Sequence, residues 1–189
     1  MSLFSFDELE NIVSTPDDKS GILAERFYDM HSFRVESLKQ LCGKFPEENE
    51  IYFLWTTKSF NAFTFIPYII NNVGFIDELN IKTYTIGTRI IDALIKQINK
   101  GTIKELNIEI SDSLMYRLPR VYEHLEALTR ERSNIKIKYS WNHAKVACIK
   151  AADNYFVVEG SGNFNENAQF EQYIFLNNER IFNFRKKTV

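Results

Sequence analysis

Hydrophobic positions along the chain change period several times, and each change marks an element. From Gly21 to Cys42 the apolar residues Ile22, Leu23, Phe27, Met30, Phe33, Leu38 and Leu41 recur at helical spacing, which predicts one long amphipathic helix or two short ones. Asp17 or Asp18, after the turn-like Ser14-Thr15-Pro16, is placed to cap it. Gly43 ends the pattern and Pro46 prevents its resumption. Glu47 to Glu50 then reads as a loop.

From Ile51 the texture is different. Ile51-Tyr52-Phe53-Leu54-Trp55 is a continuous apolar run, which predicts a strand covered on both faces. Thr57 or Ser59 is placed to cap a helix running to Asn72, with Pro67 kinking it or marking its restart. Leu79 to Ile86 alternates as a strand, and Gly87 breaks it. Thr88 opens a helix that buries Ile90, Ile91, Leu94, Ile95 and Ile98 and stops at Gly101. Ile103 to Ile110 alternates again. A helix from Ser113 carries Leu118, Val121, Leu125 and Leu128, with Pro119 in its first turns. Ile135 to Tyr139 is a further strand. His143 to Ile149 and Tyr155 to Glu159 read as a hairpin around the polar stretch Lys150–Asn154. Gly160-Ser161-Gly162-Asn163 forms a tight turn, Gln172 to Leu176 a last strand, and Asn178 to Lys187 a last helix. The expected architecture is therefore α/β: a mixed, mostly parallel sheet flanked by helices, with an N-terminal helical extension. The expected division is an acidic helical extension over residues 1–47 and an α/β domain over 48–189.

Composition narrows the classes. A chain of 189 residues suits one domain, or one with a small addition. No apolar run approaches the ~18 residues of a membrane span. The first basic residue is Lys19, which argues against a secretory leader. Cys42 and Cys148 are far apart without metal spacing, so two reduced thiols in a cytoplasmic protein are expected, with no metal site and no cofactor. The net charge of −2 hides an asymmetry: residues 1–50 carry 11 acidic and 5 basic side chains, the rest 14 and 18. The larger, mildly basic part is the one suited to a polyanion. The aromatic series Phe60, Phe63, Phe65, Tyr68 reads as helix packing, Trp55 and Trp141 as core residues, and Arg185-Lys186-Lys187 as a solvated tail.

One constellation carries chemistry. Strand alternation places His143 and Lys145 on the same face. Antiparallel pairing in the hairpin brings the end of the second strand beside the start of the first, so Ser161 and Asn163 fall near them. An imidazole, an ammonium, a hydroxyl and a carboxamide gathered at one sheet edge suit a phosphate. The imidazole is the member able to act as nucleophile or proton carrier near neutral pH. The flanking glycines let the backbone approach a ligand.

The stretch from His143 to Gln172 resembles the phospholipase D superfamily signature: His-x-Lys, a hairpin, Gly-Ser-x-Asn and a downstream Glu. The likeness extends over roughly residues 51–178. It implies a mixed sheet between helices and a metal-independent phosphodiesterase. Each active site of that family uses two His-x-Lys motifs: one His forms a phosphohistidine and the other protonates the leaving oxygen. The resemblance implies that His143 is nucleophile or acid/base, that Lys145 and Asn163 stabilise charge, that Ser161 is a supporting donor, and that Glu171 orients the histidine. Neither His31 nor His124 is followed by Lys at the second position, so one chain supplies one motif. A twofold homodimer joined through the active-site seam follows as an expectation. The family's usual Asp, five residues after the Lys, is replaced here by Lys150, with Asp153 three residues later. The leading expectation is a nuclease with nucleic acid as substrate or ligand. The alternative is a catalytically weak or inactive phosphate- or nucleic-acid-binding module of the same fold.

Overall fold

The computed structural model describes residues 34–57, 60–165 and 170–187. Of the predicted helix from Gly21 to Cys42, residues 34–42 are helical (α1). The remainder, with Asp17, Asp18 and His31, lies outside the described residues. Seven strands follow: β1 (Ile51–Thr57), β2 (Ile76–Thr83), β3 (Ile103–Ser111), β4 (Ile135–Ser140), β5 (Lys145–Ala151), β6 (Asn154–Gly160) and β7 (Phe170–Asn177). The helices between and after them are α2 (Phe65–Val73), α3 (Thr88–Asn99), α4 (Leu114–Arg117), α5 (Pro119–Glu131) and α6 (Glu179–Lys186).

The strands form one sheet in the order β1-β7-β6-β5-β2-β3-β4. It is mixed, but its weight is antiparallel rather than parallel. Only β2–β3 and β3–β4 run parallel, because α3 and α5 carry the chain back between those strands. The pairings β2–β5, β5–β6, β6–β7 and β7–β1 are antiparallel. The β5–β6 hairpin closes in two residues, Ala152 and Asp153, with Ala152 at φ 50°.

One face of the sheet carries the main core. Leu79, Ile81, Leu106, Ile108, Ile110, Ala147, Ile149, Phe156, Val158 and Phe175 are buried there with apolar residues of α2, α3 and α5. Residues ahead of β1 join it through Leu38 and Phe45. The Phe45 ring lies 5.0 Å from both Tyr68 and Phe156. Phe60, Phe63, Phe65 and Tyr68 are all buried, as packing residues should be. On the other face an apolar cluster lies under α6, where Phe182 packs on Val146, Cys148, Val157 and Leu176. Across β2 and β3 it is polar, with Asn107 Nδ2 donating to Asn80 Oδ1 at 3.0 Å. Arg185 pairs with Glu159, and Lys186 with Glu78 at 2.6 Å. These two cations therefore clamp α6 to the sheet instead of forming a solvated tail.

Three local expectations are corrected. β1 is an edge strand whose outer face is uncovered: Phe53 is 75% and Trp55 60% exposed, while Leu54 and Thr56 point inward. The helix expected from Ser113 is broken at Leu118 (φ −139°, ψ 65°), because the residue before a proline is pushed out of helical geometry; Pro119 then starts α5. The helix expected after Thr57 or Ser59 starts later, with a 3-10 turn, Ala62–Thr64, that leads into α2 and is capped by Asn61, whose side chain accepts from Thr64 N at 3.2 Å; Ser59 and the Thr57 side chain lie outside the described residues.

Phe175 sits at the middle of the aromatic core, with ring contacts to Phe65, Phe156 and Phe45. Phe175→Ala is expected to remove about 3–5 kcal/mol of stability, read as a lower urea midpoint at unchanged slope.

Candidate active site

The loop between β4 and β5 is fixed before it reaches the site. Asn142 Nδ2 donates to Glu109 O at 3.0 Å, and its Oδ1 accepts from Ala144 N at 2.8 Å. The residue between them, His143, is thus presented from a pinned backbone with its imidazole exposed. One ring face rests on Tyr84, centroid to centroid 4.6 Å. Lys145 opens β5 opposite Thr83 of β2. Its Nζ lies 3.2 Å from His143 Nδ1 and donates to His143 O at 2.9 Å. An ammonium only donates, so Nδ1 accepts and the neutral ring keeps its proton on Nε2. Loss of hydration holds the Lys145 ammonium below the usual lysine value, and the Glu171 carboxylate opposes that shift.

The Gly160–Asn163 turn is built against Tyr173. A Cβ on Gly160 would overlap the Tyr173 ring and the Gln172 carbonyl, and one on Gly162 would overlap the Tyr173 hydroxyl. The glycines are therefore required for close approach to a buried tyrosine. Burial also pushes the Tyr173 phenol up. Ser161 N donates to Gln172 O at 3.1 Å, and Gln172 N donates to Ser161 Oγ at 3.1 Å. The Ser161 hydroxyl donates to the Glu171 carboxylate. Asn163 Oδ1 lies 3.4 Å from the Thr83 hydroxyl, on the strand that also pairs with Lys145. The next residue, Phe164, is buried and bridges to Ile86.

The five residues singled out by sequence thus fall in two contacting pairs and one neighbour: His143 with Lys145, Ser161 with Glu171, and Asn163 beside Thr83. Glu171 acts on Lys145 through its charge, but its hydrogen bond goes to Ser161 and not to the imidazole. Beside them opens a hollow of about 640 Å³ lined in part by His143, Lys145, Glu159, Gly160, Gln172 and Trp55. Lys150 lies at the far end of β5, opposite Tyr155, five residues or about 17 Å from Lys145. The substituted position does not reach the site. Among the described residues, no group of three or more His, Cys, Asp or Glu side chains is gathered as a metal site.

Sequence reasoning missed three neighbours. Tyr84 supports the imidazole, Arg117 lies over Tyr84 with its Cζ 4.1 Å from the ring centroid, and Thr83 meets Asn163. Their one signal was position: ligands of open α/β sheets collect beyond the C-terminal ends of parallel strands, where Tyr84 and Arg117 sit. Trp141 was expected in the core and is 95% exposed.

NucT from Helicobacter pylori is structurally similar, with a TM-score of 0.52 over 72% of this chain and 92% of that one, at 18% identity. At that identity the likeness establishes the fold alone, a mixed sheet between helices, as the motif resemblance implied. Polyphosphate kinase from Porphyromonas gingivalis gives a TM-score of 0.49 at 18% identity over 67% of this chain. Phosphatidylserine synthase from Haemophilus influenzae Rd KW20 gives 0.48 at 13% over 71%. The chain spans only 23% and 36% of those two proteins. No protein-family model and no curated protein matches the sequence.

Two outcomes follow from this geometry. Gly160→Ala is expected to lose about 1–3 kcal/mol in urea unfolding, because the added methyl meets the Tyr173 ring and backbone instead of open space. Glu171→Gln is expected to lower the Lys145 titration point further, since the carboxylate is what opposes desolvation. Lysine side-chain NMR across a pH series reads it, and an unchanged value would show the two groups to be electrostatically independent.

Proposed function

We propose that the protein is a metal-independent phosphodiesterase of the phospholipase D type, a nuclease that works through a phosphohistidine in a homodimeric active site. The observation that carries this reading is the exposed His143 imidazole held between the Tyr84 ring and the Lys145 ammonium, beside an open hollow. Lys145 serves as a point charge for a phosphoryl oxygen, with the Asn163 carboxamide as a further donor.

With one motif per chain, the second histidine comes from a second copy. In the first step Nε2 of one His143 attacks phosphorus, a P–N bond forms and the P–O bond to the leaving group breaks. The leaving oxygen takes the Nε2 proton of the other copy's His143, which enters this step as the imidazolium and leaves it as the neutral ring. Water then attacks phosphorus and gives its proton to that second imidazole as the P–N bond breaks. The attacking ring needs a bare Nε2. A bound phosphate that draws Lys145 away from Nδ1 allows the proton to move there. A cytoplasmic location belongs to the same proposal. Among the described residues no helix is long and apolar enough to cross a membrane.

A second reading, a binding module with little or no turnover, is favoured by one observation. Glu171 is engaged with Ser161 and not with the His143 imidazole it was expected to orient.

The two readings separate in one assay. Cleavage of nucleic acid in EDTA is expected, with a loss on the order of 10³-fold or more in His143→Ala and a covalent phosphoryl adduct trapped on His143. Cleavage that needs a divalent cation and survives His143→Ala overturns the first reading. Salt-dependent binding without cleavage, retained in the mutant, establishes the second.

A further inference from the structure

Three loops meet beyond the C-terminal ends of β2, β3 and β4, and they carry more than the phosphate site requires. Asp112 N donates to Ser140 O at 3.0 Å, which ties the loop leading to α4 to the loop leading to His143. Trp141 follows Ser140 directly and is 95% exposed. Tyr116, one helical turn beyond Asp112, is 83% exposed. Arg117 follows Tyr116. Its Nε donates to Ser113 Oγ at 3.1 Å, and its guanidinium lies over the Tyr84 ring that supports His143. The stack His143–Tyr84–Arg117 sets this cation no more than about 9 Å from the imidazole.

We propose that Trp141, Tyr116 and Arg117 form a flanking subsite for single-stranded nucleic acid, with an unpaired base stacked on Trp141 and the neighbouring phosphate on Arg117. The proposal rests on the reading of His143 and Lys145 as a phosphate site, and adds which form of polyanion that site takes. A second held cation no more than about 9 Å from the imidazole suits a ligand with successive phosphates. Exposed aromatic faces beside it suit a ligand with planar groups to offer. A duplex keeps its base faces stacked inside, whereas a single strand presents them. Solvation alone explains neither feature: large aromatic side chains are usually turned inward, and Arg117 is held in place by both Ser113 and Tyr84.

The sequence contains two tryptophans, so Trp55→Phe leaves Trp141 as the sole indole emitter. In that background, with His143→Ala to prevent cleavage, oligothymidylate of about a dozen residues is titrated alongside its duplex with oligoadenylate and an abasic strand of equal length. Expected results are quenching of Trp141 emission by the single strand and preference for it over the other two probes. Trp141→Ala weakens binding of the single strand roughly tenfold and leaves the abasic strand unaffected. Arg117→Met weakens both strands and lowers the salt slope by about 0.7. The proposal is overturned if the strand binds without moving Trp141 emission. It is also overturned if Trp141→Ala weakens all three probes alike, or if that variant sediments as a monomer where the parent is a dimer, which makes Trp141 a subunit contact. If no probe binds and the unmodified chain cuts none in EDTA, the phosphate-site reading itself falls and takes the subsite with it.

Discussion

The Tyr173 side chain is the constraint on which the candidate site depends. It is buried against Phe60 and Phe65, with ring centroids 5.8 and 5.5 Å away, and it occupies the space that side chains on Gly160 and Gly162 would need. The turn after β6 must therefore lie flat across a tyrosine of β7. That placement sets Ser161 beside Glu171 and lets Asn163 reach Thr83. Hydrophobic packing behind the sheet end thus fixes polar groups in front of it. The energy that holds these polar atoms comes from aromatic burial, since the site's own hydrogen bonds are mostly exposed and individually weak.

The site proper is electrostatically lean. One ammonium faces one imidazole nitrogen, and the Glu171 carboxylate is tied to a serine. With the Lys145 Nζ 3.2 Å from Nδ1, Nε2 is the ring nitrogen left without that partner. On the proposed reading, a phosphate that captures Lys145 also frees Nδ1, so ligand binding and a change of ring tautomer share one cation.

Much of this was legible in the sequence, for identifiable reasons. β3 and β4 bury one face of alternating side chains, so period two was visible. The β5–β6 hairpin combines an apolar pair of strands with a polar turn, and antiparallel geometry then places Ser161 and Asn163 near Lys145 without further information. What escaped depends on residues distant in sequence. The apolar run of β1 looks like a covered strand, and only the strand order reveals it as an edge. β2 begins at Ile76, earlier than expected, because Glu78 is accommodated by Lys186 of α6, more than a hundred residues on. Strand direction was misjudged because alternating helices and strands suggest crossovers, whereas half of this sheet is made by hairpin and return strands. Tyr84 and Arg117 meet His143 only through the fold. The break at Leu118 was the one local signal that was readable and was not weighed enough.

Cys148 gives the α6 clamp a kinetic meaning. Its thiol lies on the sheet beneath Phe182, and burial pushes its pKa up to about 12. A thiol reagent can reach it only when the terminal helix lifts from β5 and β6, so the alkylation rate becomes a stopwatch for that local opening. Cys42 is only half-buried and supplies the faster reference signal within the same chain. The ion pairs of Arg185 and Lys186 are exposed enough to be screened, so the stopwatch should run faster in concentrated salt while the aromatic core on the opposite face keeps its own time.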